Sequence, residues 1–150
     1  MKISKTSTTA HFVNLKRNTK AIPYALEQTY THLVGLLEPY QEHFEVKANT
    51  DVHFELWTNH VFRSNGLNAK YKKGLMFAAV VVFKKFVSLY FYPLYVSKSL
   101  KENLSDELKP FLTGESCFHF KTLEEIPLSE LHKLIDDGFV FYKEQGWVKR

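Results

Sequence analysis

Residues 75–96, LMFAAVVVFKKFVSLYFYPLYV, form a nearly continuous apolar run whose centre holds Lys84 and Lys85. Charge at mid-span is most costly in hydrocarbon, which argues against a membrane-spanning helix. The two halves, Leu75 to Phe83 and Phe86 to Val96, are rich in Val, Phe and Tyr and are bounded by Gly74 and the lysine pair. That composition predicts two strands of a hairpin with the lysines at its tip. Lys-Lys is not the Asn-Gly or Asp-Gly pair of a two-residue primed turn, so a slightly longer loop is expected. In the first strand both parities are apolar, Leu75, Phe77, Ala79, Val81 and Phe83 against Met76, Ala78, Val80 and Val82. In the second, Val87, Leu89 and Phe91 point one way and Phe86, Ser88, Tyr90 and Tyr92 the other. Both faces of such a strand pair therefore want cover.

The remaining elements supply cover for one face. Leu26, Tyr30, Leu33, Val34 and Leu37 recur at helical spacing between Pro23 and Pro39, predicting an amphipathic helix from about 23 to 38. Val52, Phe54 and Leu56 alternate with His53, Glu55 and Trp57, as in a half-buried strand. Residues 97–113 read as one or two short helical turns, with Ser105 a candidate N-cap and Pro110 limiting continuation. Residues 117–121 read as a short strand. Leu128, Leu131, Leu134 or Ile135, Gly138 or Phe139, and Tyr142 mark a second long amphipathic helix. The order predicts an α+β fold, a mainly antiparallel sheet with two longer helices and a short one packed on it in two layers.

Length and charge agree with one domain. The chain has 150 residues, 20 Lys and Arg against 16 Asp and Glu, 13 Phe and 8 Tyr, enough apolar surface for a single core and too little Pro and Gly for a disordered segment. Residues 1–20 carry Lys2, Lys5, Lys16, Arg17 and Lys20 with no acid and are expected to be a basic, frayed tail before a single domain over 21–150. Cys117 is the lone cysteine, so it forms no internal disulfide and supplies at most one metal ligand. With no signal-peptide core near the start, a cytoplasmic location and no membrane partner are expected.

The aromatic second sheet face is the most informative functional feature, because Tyr and Trp combine apolar bodies with polar tips. Ordinary core packing explains such residues most simply; a homodimer interface and a small-ligand site are the functional readings. Trp57, His60, Tyr90 and Tyr92 are the candidate binding or interface residues. No catalytic residue and no metal site is assigned.

The second half of the chain resembles a known family. FAAVVVFKKFVSLYFYP, ELKPFLTGESCFHF and IPLSELHKLI are similar to segments of the YdhG-like domain family, small proteins of largely unknown function. The matching features are Ala78 and Ala79, Lys84 and Lys85, Ser88 with Leu89 and Tyr90, Gly114, Phe118 and Phe120, and Pro127, spanning Phe77 to Ile135. The chain departs from the pattern at Trp57-Thr58-Asn59-His60, where relatives carry an aromatic-Gly-x-Pro segment, and at Phe86, where they carry His. The resemblance implies an antiparallel sheet with helices. Because some relatives are catalogued as frataxin-like iron chaperones, it also implies iron handling.

Residue chemistry alone supports metal binding only in pairs. His53 with Glu55, Cys117 with His119, and His132 with Asp136 could each supply two ligands, but the acids are scattered apart from Glu124-Glu125 and Asp136-Asp137. Cys117 and His119, about 6.5 Å apart on a strand, also admit a thiol-and-base reading, without a third orienting group. Lys70, Lys72 and Lys73 flank Tyr71, yet about 35 Å of extended chain separates them from Lys84. They are read as solubilising strand ends and not as a nucleic-acid surface. The expected function is thus a non-enzymatic binding module that self-associates or binds a small ligand. Iron handling and an enzyme using Cys117 and His119 stand as alternatives.

Overall fold

A computed structural model describes residues 22–58 and 74–148. Helix α1 (Tyr24–Leu37) begins directly after Pro23 and buries Leu26, Tyr30, Leu33 and Leu37. Pro39 lies in the 3-10 turn Glu38–His43 that follows. Strands β1 (Glu45–Asn49), β2 (His53–Trp57), β3 (Met76–Val82), β4 (Val87–Phe91), β5 (Leu112–Thr113) and β6 (Cys117–Phe120) make one antiparallel sheet in the order β1-β2-β3-β4-β6-β5. Short helices α2 (Pro93–Val96) and α3 (Lys98–Glu102) follow β4, and α4 (Leu128–Glu144) closes the described chain. The fold is α+β with two longer helices. No described helix is long and apolar enough to cross a membrane.

Residues facing one another in the ladders sort the sheet into two faces. Leu56, Ala78 and Phe91 form one row and Phe54, Val80, Leu89 and Phe118 the next; all are buried and share a cluster with the apolar stripes of α1 and α4. Helices α2 and α3 pack against α4, so all four described helices belong to this first face. The second face carries His53, Val81, Ser88 and His119 in one row and Glu55, Ala79, Tyr90 and Cys117 in the next.

Two bulges modify this alternation. The β2–β3 register passes from Leu56↔Ala78 to Trp57↔Met76, leaving Phe77 as the extra residue of a β-bulge. Phe77 joins Ala78 in the core, where it stacks on Phe44 at 4.5 Å and meets Tyr142 at 5.3 Å. Parity places Phe77 with Ala79; the bulge sends the two to opposite faces. The β1–β2 register likewise skips Lys47, at an edge strand whose charge and irregularity discourage pairing with another sheet.

The ends of α4 show why it stops where it does. Gly146 takes φ +80°, its N–H donates to the Lys143 carbonyl, and the Trp147 N–H donates to the Tyr142 carbonyl, both at 3.0 Å. This is a Schellman motif, and the Trp147 ring packs against Tyr142 at 5.1 Å as its apolar clasp. Ser97 Oγ accepts from the Leu100 N–H at the start of α3, and Ser105 Oγ accepts from the Leu108 N–H in the following turn. The β3–β4 hairpin turns through residues 83–86, with Lys84 and Lys85 exposed at its tip.

Candidate functional site

The second face begins on β2, where period-two geometry projects His53, Glu55 and Trp57 to the same side. Glu55 ties the three together: His53 Nε2 lies 2.6 Å from Glu55 Oε2, and Trp57 Nε1 donates to Glu55 Oε1 at 2.8 Å. Both carboxylate oxygens are engaged, so the indole is held in one orientation. Glu45 faces Trp57 across the β1–β2 ladder, so Lys47, two residues on, projects to the same side, with Nζ 4.1 Å from the centre of the Trp57 ring, a cation–π contact. His53 and Glu55 side chains are each 24% exposed.

Small residues on β3 form the floor beside this group. Ala79 is buried and Val81 half-buried, and beyond them Tyr90 on β4 is half-buried. Trp57 and Tyr90 therefore lie on one face, on strands flanking β3. Tyr92 does not join them: it leaves the sheet at the start of α2, packs against the core cluster and meets the Tyr95 ring at 5.0 Å in a tilted contact. His60, Lys70, Lys72, Lys73 and the basic segment 1–20 lie outside the described residues.

The far side of the face holds Cys117 and His119. Ser88 Oγ, fully buried, lies 2.7 Å from Cys117 Sγ. The His119 ring stacks on Phe86 at 4.0 Å with planes 18° apart. Cys117 and His119 thus share a strand face while engaging different neighbours, and no hydrogen bond joins thiol to imidazole. With strands about 4.8 Å apart, the His53–Glu55 pair stands roughly 14 Å from Cys117 and His119. Among the described residues no group of three or more His, Cys, Asp and Glu side chains converges on a common point.

Two tyrosines elsewhere are electrostatically distinctive. Tyr30 Oη donates to the Thr50 carbonyl at 2.7 Å; burial, reinforced by Asp51, raises its phenol well above the usual range. Tyr40 Oη donates to Asp136 Oδ1 at 3.0 Å. Burial first, then the bond to Asp136 and that carboxylate's charge, push it up to about 12. Both tie helices to neighbouring elements, and neither faces the second sheet face. An open groove of about 610 Å³ runs along α1, lined by Tyr24, Glu27, Gln28, Thr31, His32, Gly35, Leu36 and Leu123, and contains none of the residues singled out from the sequence.

The Glu55-centred arrangement was only partly legible in the sequence. Alternation placed His53, Glu55 and Trp57 on one side, but Lys47 joins them only because β1 pairs with β2, a pairing that the local pattern of β2 does not reveal. Comparison of the chain with protein-family models, curated proteins and solved structures finds no match.

Proposed function

We propose that this protein is a non-enzymatic binding module whose recognition surface is the second sheet face, with a second copy of the chain as its first candidate partner and a small ligand as the other. The observation that carries this reading is the double engagement of Glu55 by His53 and Trp57, with Lys47 on the indole. A half-buried Trp fixed by its own N–H loses little conformational freedom on binding, which favours recognition. Tyr90, across the small floor of Ala79 and Val81, adds a second aromatic body. Apolar rings bearing polar groups are the chemistry of interface cores.

Native mass spectrometry of protein purified without chelator tests this directly. A dimer, or a retained organic mass, supports the reading, and Tyr90→Lys should then remove either while leaving the near-UV circular dichroism intact. Tyr90 is a cleaner probe than Tyr92, because Tyr92 packs against the core. A parent protein that is a bare monomer overturns the reading. Stoichiometric iron in the same spectrum would favour the iron handling that the YdhG-like resemblance implies.

A further inference from the structure

The β3–β4 hairpin tip presents a second, separate surface. The last ladder pair is Val82↔Val87; on one side Val82 N–H donates to the Val52 carbonyl, and on the other Val87 faces Phe120. Residues 83–86 stand beyond these pairs, closed by the Phe83 N–H donating to the Phe86 carbonyl at 2.8 Å. Phe83 is 41% exposed, and its ring lies 5.3 Å from that of Phe86, which in turn stacks on His119 at 4.0 Å. Lys84 and Lys85 are exposed and form no ion pair with a described residue.

We propose that this tip docks on the surface of a bilayer containing anionic phospholipid, with Phe83 entering the interfacial layer and Lys84 and Lys85 meeting headgroup phosphates. An exposed Phe costs free energy in water that an interfacial environment removes, and lysines beside it gain from the negative surface potential. The contact is superficial, through four residues of a turn, and involves no spanning segment. A flat lipid surface suits a convex tip. Single-stranded nucleic acid, the other polyanion with affinity for rings and lysines, needs bare ring faces in a basic groove; here His119 already occupies one face of Phe86. Asp51 in the neighbouring β1–β2 turn and Glu125, whose carboxylate accepts from the Lys121 N–H, offset part of the positive charge. Attachment should therefore be weak, salt-sensitive and dependent on the anionic lipid fraction.

The test is co-sedimentation of the full chain with vesicles of phosphatidylcholine alone and of phosphatidylcholine with phosphatidylserine, at low and high salt. Binding only to the anionic vesicles, reduced at least about tenfold by Lys84→Glu with Lys85→Glu and weakened by Phe83→Ser, is the expected result. Thermal unfolding and circular dichroism confirm that these exposed-site variants stay folded. Absence of binding to anionic vesicles, or binding that survives both changes, overturns the proposal. Binding of a single-stranded oligonucleotide that the same changes abolish, with vesicles left untouched, overturns it in favour of nucleic acid.

Discussion

Gly138 on α4 and Phe91 on β4 approach so closely that a Cβ at position 138 would lie 2.5 Å from Phe91 Cζ and 2.9 Å from Pro93 Cγ. The missing side chain lets the helix seat on the ring of a fully buried phenylalanine. Gly35 on α1 has nothing within 4 Å of the same position. Gly138→Ala should destabilise by about 1–3 kcal/mol through overpacking, outweighing its gain in helix propensity. Gly35→Ala should stabilise by about 0.5–1 kcal/mol. Urea midpoints at constant slope read both, and a Gly138→Ala protein as stable as the parent would contradict this packing.

The network around Glu55 predicts a graded response. Glu55→Gln keeps an acceptor for Trp57 Nε1 and a polar partner for His53, whereas Glu55→Ala leaves both without Glu55's oxygens. The first should cost about 1 kcal/mol and the second about 1–3 kcal/mol. Trp57 emission should move to longer wavelength in Glu55→Ala, with Trp147, buried at the end of α4, supplying an unshifted background. Equal stability of the two variants would show that the hydrogen bonds contribute nothing.

Stability should fall in alkali through Tyr30 and Tyr40. Each phenol is neutral when protonated, and folding raises its pKa from the ordinary value of 10.0. The folded chain thus holds these protons more tightly than the unfolded one. Their contribution is complete below pH 10 and is lost as pH rises from there through the folded value, about 12 for Tyr40. Tyr30→Phe and Tyr40→Phe should each flatten the alkaline decline in urea midpoint, at a cost near neutrality of roughly 0.5–1.5 kcal/mol for the lost hydrogen bond. An unchanged alkaline slope in both variants would place the titration elsewhere.

Cys117 should behave as a packed thiol. It is half-buried against Ser88 Oγ, while His119 stacks on Phe86. Labelling with a thiol reporter should be slower in the native protein than in the urea-unfolded chain. Native labelling faster than unfolded would revive the thiol-and-base reading and count against a purely binding role.

Much of the secondary structure was readable because periodicity is local. Pro23 and the Leu26, Tyr30, Leu33, Leu37 stripe mark α1; Leu131, Ile135, Gly138 and Tyr142 mark the buried side of α4. Strand β1 was not read from the sequence, although Val46 and Ala48 alternate with Glu45, Lys47 and Asn49: the segment is short, none of its five residues is buried, and it is a strand because β2 offers it a partner. The candidate site divides the same way: Trp57 and Tyr90 were legible by parity, Lys47 was not, and Tyr92 was carried off the sheet by the turn into α2.

The helix stripes, the His53-Glu55-Trp57 alternation and a β3 apolar on both parities are local features, each set by residues a few positions apart. The face that each side chain serves depends instead on how the strands are assembled. Parity alone puts Phe77 beside Ala79, but the bulge opposite Leu56 and Trp57 turns Phe77 into the core and leaves Ala79 beneath the second face. A bulge is a mismatch between two strands, and its position follows from how both strands fill a shared core, which no single stretch of chain encodes.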